Sequence, residues 1–258
     1  LHQFTFILLK INLSVDFIST ILIFIITFFY TLGIFFLVLG FNHSKIFALF
    51  LSLIVIISRE NFGDIDYPVL YFSEHTYGAF SMSTFTLITG LLSNKNYKSA
   101  GFFSALLFGS HLIIGTWVIL LLIFSYIIFS ILNKNFNNSE FKKILMGVFF
   151  IIMPLIISFI YFQINIIDKS AYDIKDFDIY LKQWDVHRNI SILHFSYMIK
   201  TIILIFLLSI YFFYCNTFKN SIFYLFIIFS CIGSMMIYIS IKFLPDLFPQ
   251  IINRAMPA

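Results

Sequence analysis

Seven apolar runs, at 17–40, 46–58, 77–93, 99–132, 144–163, 201–214 and 222–243, take up most of this 258-residue chain. A run of about 20 apolar residues makes a helix long enough to cross the hydrocarbon of a bilayer. Lipid offers no hydrogen bonds to a backbone, so runs of this kind fold as helices. Hydrophobic residues make up 60% of the chain and charged residues 11%, against about 25% charged in an ordinary soluble domain. The expectation is therefore an all-α, polytopic membrane protein for which lipid is the main solvent. The net charge of +4 is too slight and too scattered for a nucleic-acid footprint.

The polar breaks carry the orientation. Those at 41–45, 94–98, 133–143 and 216–221 are short and hold Lys45, Lys95, Lys98, Lys134, Lys142, Lys143 and Lys219, with Glu140 as their only acid. The segments 1–16, 59–76, 164–200 and 242–258 together hold eleven of the twelve acids. Lysine-dense short loops belong on the cytoplasmic side, which puts the long acidic loops 59–76, 164–200 and 242–258 on the extracytoplasmic side. Run 99–132 has lysine breaks at both ends and so needs an even number of passes. As one helix it would reach about 51 Å, too long for a hydrocarbon layer of about 30 Å at ordinary tilt. A fold-back between Gly109 and Thr116 is expected, with two helices of about 17 residues meeting near the outer face. The total is about eight transmembrane helices in a single polytopic domain spanning 1–258. The chain opens at Leu1 and closes without tail-like composition, so it is expected to be a piece of a longer protein. Pro154 should kink the helix of run 144–163.

The ionisable residues of the outer loops are the candidates for function. Asp64 and Asp66 stand at i, i+2, which in extended chain puts both carboxylates on one face, able to hold a divalent cation or to act as a base. The competing reading is a solvated turn. Glu74 and His75 precede the next helix, where the macrodipole alone favours an acid. His111 interrupts an apolar run, and an imidazole there either serves function or bonds to a backbone carbonyl to hold the fold-back. His187 and Arg188 can clamp phosphate oxygens, or Arg188 can pair with Asp185. Arg254 adds a cation near the carboxyl end. The aspartates at 173, 176 and 178 lack the glycine and terminal glutamate of an EF-hand loop. Nucleotide-binding loops, HExxH and GxSxG are missing from the sequence.

From Asp64 to Leu132 the order is acidic outer loop, helix, the small basic turn Ser93-Asn94-Lys95-Asn96-Tyr97-Lys98, and the small-residue helix Ser99-Ala100-Gly101-Phe102-Phe103-Ser104-Ala105 with His111 beyond it. This resembles the middle transmembrane region of GT-C-type glycosyltransferases and related bacterial membrane proteins. The resemblance implies an integral protein of the bacterial inner membrane, a polyprenyl-phosphate-linked sugar donor, and an acidic base from an outer loop. Asp64 or Asp66 takes that role here, with Asp16 as a further candidate.

The chemistry of the layout points the same way. A lipid-linked donor needs fixed cations at its phosphate, and an acceptor hydroxyl needs a carboxylate to take its proton. The expected function is sugar transfer at the extracytoplasmic face. Asp64, Asp66 and His111 would be catalytic, Asp64 and Asp66 would be the ligands of any divalent cation, and Glu74, His75, His187, Arg188 and Arg254 would bind substrate. A transporter or flippase component with a polar pathway is the alternative. A noncatalytic membrane scaffold is the third reading.

Overall fold

The computed structural model describes residues 2–42, 44–57, 77–133, 138–165, 195–214 and 221–244. Among these residues the chain is all-helical. The helices are α1 (His2–Lys10), α2 (Val15–Asn42), α3 (Lys45–Ile57), α4 (Tyr77–Ser93), α5 (Tyr97–Ser110), α6 (Leu112–Leu132), α7 (Asn138–Asn165), α8 (Phe195–Tyr214) and α9 (Ile222–Phe243). Three stretches are long and apolar enough to cross a membrane: Val15–Phe41, Leu112–Leu132 and Ile222–Ser240. Their outward faces carry large apolar side chains, such as Phe24, Phe28 and Leu120, all at least half exposed. Lipid suits that surface and water does not.

Local chemistry sets the helix ends. Ser14 and Ser44 cap α2 and α3, each hydroxyl accepting a bond at 3.3 Å from the backbone N–H three residues on, Phe17 and Phe47. Asn12 ends α1 at φ 59°, and Lys95 closes α4 at φ 58°. Both sit in the left-handed region, where asparagine is tolerated and lysine is strained. The buried hydroxyls of Ser52, Thr84, Ser104 and Ser230 donate to carbonyls four residues earlier, so each is satisfied inside its own helix.

The helices form two compact units, Leu1–Ile119 with Asn137–Ile152, and Leu120–Phe136 with Met153–Ala258. In the first, α2 and α4 run in the same direction and meet backbone to backbone. A methyl on Gly33 would stand 2.6 Å from the Leu87 nitrogen, and one on Gly90 would strike the Gly33 carbonyl oxygen. Only glycine permits such an approach, the small-residue packing used between membrane helices. Around this seam Phe29 meets Phe80 at a tilt and Phe103 edge-on, with ring centroids 5.9 and 5.4 Å apart. α3 covers α2 through Ala48 and Ser52, both fully buried.

In the second unit α8 and α9 face each other. Ile202, Ile205 and Phe206 oppose Met235, Met236 and Ile239 across an apolar groove of about 510 Å³. Phe124 meets Phe229 edge-on at 4.6 Å. Lys242 donates to the Tyr238 hydroxyl at 3.1 Å in the last turn of α9.

Several boundaries differ from expectation. α7 starts at Asn138, because Asn138-Ser139-Glu140 supplies polar residues and an acid suited to a helix start, so the polar break extends only to 137. α8 starts at Phe195, inside the segment expected as loop to 200, and α1 occupies a stretch expected as a polar end. α7 spans Pro154, and a kink there is compatible with a continuous helix.

Candidate functional site

Of the residues expected to carry function, His111 and the further candidate Asp16 lie among the described residues. Asp64, Asp66, Glu74, His75, His187, Arg188 and Arg254 lie outside them. No group of three or more potential metal ligands occurs among the described residues.

His111 stands alone between α5 and α6, with φ −144° and ψ 94°. Its N–H donates to the Leu107 carbonyl at 2.8 Å, closing α5, and its own carbonyl accepts the Gly115 N–H at 2.8 Å, opening α6. The ring also takes part. Ile114, third residue of α6, donates its N–H to His111 Nδ1 at 3.4 Å, the bond usually made by a capping serine or aspartate. An accepting Nδ1 carries no proton, so in the neutral ring Nε2 is the donor. Histidine was expected to bond a carbonyl if it only held the break. Its Nδ1 receives an amide N–H. Gly115 packs against the backbone of Leu107 and Phe108, and the break falls within the expected interval from Gly109 to Thr116.

The length of the first helix differs from the expected length of about 17 residues. α5 has 14 residues, so it advances about 21 Å. That is shorter than a hydrocarbon layer of about 30 Å.

The first unit has two chemically distinct ends. Ser93 donates to the Phe36 carbonyl at 3.0 Å, the Asn94 amide donates to the same oxygen, and Gly40 packs on Ser93. The end of α2 and the α4–α5 turn are thus held together, bringing Lys45, three residues past α2, to the end that carries Lys95 and Lys98. The start of α2 with Asp16, the start of α4 and the break at His111 lie at the other end. Asp16 occupies the first turn of α2, where the macrodipole favours it.

Two polar atoms in this unit were not anticipated. Glu140 Oε2 and Trp117 Nε1 are buried and have no hydrogen-bond partner among the described residues. Burial, reinforced by the Glu140 carboxylate, pushes the Tyr97 phenol well above its ordinary range. Nothing in the spacing of Tyr97 and Glu140 marked them as neighbours.

Comparison with known proteins finds no matching family model, no matching curated protein and no matching solved structure.

Proposed function

We propose that this protein is a membrane-embedded glycosyltransferase-like enzyme that moves a sugar from a polyprenyl-phosphate donor to a hydroxyl acceptor at the extracytoplasmic face, within an architecture of about eight spans. The observation that carries the reading is the polarity of the first unit. Its lysine turns share one end, and the helix starts that follow the acidic segments, together with the break at His111, share the other. In this reading Asp64 or Asp66 is the base that takes the acceptor proton, alone or with a divalent cation. His187 and Arg188 hold the donor phosphate, Glu74, His75 and Arg254 bind substrate, and His111 is an orienting donor.

A transporter or flippase component is the second reading, favoured by one observation: a helix pair interrupted within one apolar run by a histidine. The experiment is reconstitution into liposomes with a labelled polyprenyl-phosphate sugar. Asp64→Asn, Asp66→Asn and Arg188→Gln are compared for transfer and for solute flux. Transfer that is lost in normally inserted variants supports the enzyme. Transfer that is absent in the parent, with flux lost in the variants, supports the transporter.

A further inference from the structure

Five exposed lysines, Lys45, Lys95, Lys98, Lys142 and Lys143, come from three separate segments of the first unit. Lys45 joins Lys95 and Lys98 through the hold of Ser93 and Asn94 on Phe36. The third segment is brought in by α7. Gly147 lies against the Lys98 carbonyl and Gly101 against the Ile144 carbonyl, so the first turns of α7 cross the start of α5. Glu140 stands in the first turn of α7. Glu140 is the only carboxylate among the described residues at this end, and one of its oxygens is buried.

α7 divides its faces sharply here. Ile144 and Gly147 are buried against α5. On the other side Leu145, Met146, Phe149 and Phe150 are 43 to 63% exposed and form one continuous strip. Lys142 precedes Leu145 and Met146 by three and four residues, so it heads the same strip, with Lys143 beside it. At the far end the Lys98 ammonium lies 5.1 Å over the Phe150 ring. Cations therefore flank an exposed apolar surface at both ends.

The strip is satisfied by hydrocarbon and the ammonium groups by anions. In a chain surrounded by bilayer, the molecule that supplies both together is an acidic lipid. We propose that Lys98, Lys142, Lys143 and the strip Leu145, Met146, Phe149 and Phe150 form a binding surface for anionic phospholipid, with headgroup phosphates on the lysines and acyl chains on the strip. Each lysine near a charged membrane surface favours acidic lipid by about fivefold, and three act together. The site is independent of the sugar-transfer reading, because none of these residues takes part in it.

The test uses the full chain with Trp117→Phe and Trp184→Phe, a reporter Met146→Trp, and bilayers of phosphatidylcholine with a minority of phosphatidylglycerol. Bromine is placed on the acyl chains of one lipid or the other at equal mole fraction. Brominated phosphatidylglycerol should quench the reporter more strongly than brominated phosphatidylcholine. Lys98→Gln, Lys142→Gln and Lys143→Gln should each reduce that preference about fivefold at most, and together abolish it. The corresponding arginine variants should keep it, and Lys242→Gln, in the other unit, should not alter it. Quenching by brominated phosphatidylcholine confirms in every variant that the strip meets lipid, which separates lost preference from failed insertion. Equal quenching by the two lipids in the lysine-intact protein overturns the proposal. So does a preference that survives the triple glutamine variant, or a reporter that neither lipid quenches because protein covers the strip.

Discussion

Ser93 donates its hydroxyl to the carbonyl oxygen of Phe36 at 3.0 Å, and the neighbouring Asn94 amide donates to that same oxygen. Two side chains from the α4–α5 turn thus fasten the end of α2. Hydrogen bonds between membrane helices average about 0.6 kcal/mol and reach about 1.7. Ser93→Ala and Asn94→Ala should each lower thermal stability in detergent by about 1 kcal/mol. The double variant should lose more than the sum, because after either single substitution the other donor still holds the shared oxygen.

The contact of Gly33 with Gly90 predicts a steep steric cost. Gly90→Ala places a methyl against a backbone oxygen, which no side-chain adjustment relieves. A loss of about 1 to 3 kcal/mol is expected, read as a lower melting temperature. Gly109→Ala, exposed in α5, should be neutral or slightly stabilising by comparison.

Lys95 holds a left-handed conformation that costs a non-glycine residue about 1 kcal/mol. Lys95→Gly should therefore stabilise the turn by about that amount. A melt of the variant against the parent at matched detergent concentration checks this.

Tyr97 gives the pH dependence. Its folded phenol ionises well above the ordinary value of about 10 because it is buried and faces Glu140. The unfolded phenol loses its proton first, so its contribution is intact below about pH 10 and is lost as pH rises beyond that. Stability should fall in the alkaline range, and Tyr97→Phe should flatten that fall. Glu140→Ala removes a carboxylate oxygen without a partner, a burden of about 1 to 3 kcal/mol, and gives up an N-terminal helix charge of about 0.3 to 1. The first effect is larger, so the variant should melt higher and Tyr97 should titrate at lower pH.

Sidedness can be read directly by labelling. Cysteines at Ser44 and Asn96 should react with a membrane-impermeant reagent from one compartment, and a cysteine at Ser14 from the other. Reaction of all three from the same side would remove the basis for grouping the acidic segments on one face.

Much of this architecture was legible in the sequence because lipid leaves few alternatives. The limits of α4 agree with run 77–93 and those of α9 with run 222–243, since polar residues bound both. The break in run 99–132 was legible from the small and polar residues around His111. Polar helix starts were less so. Residues 138–143 read as loop because hydropathy sees their charge and not their suitability for a first turn. The pairing of Tyr97 with Glu140 and the docking of Asn94 on Phe36 depend on how helices pack, which no local pattern records. The carboxylates and cations of the expected site, from Asp64 to Arg254, lie outside the described residues apart from His111.

The fastening of Phe36 by Ser93 and Asn94 bears on how the chain is made. At a synthesis rate of about 5 to 20 residues per second, the turn that secures α2 emerges roughly 3 to 12 seconds after Phe36 itself. Throughout that interval α2 has no partner at its glycine seam, and α1 and α3 are the neighbours available to it. A ribosomal pause placed between them would lengthen this vulnerable period, and early capture of α2 by a membrane chaperone would shorten it.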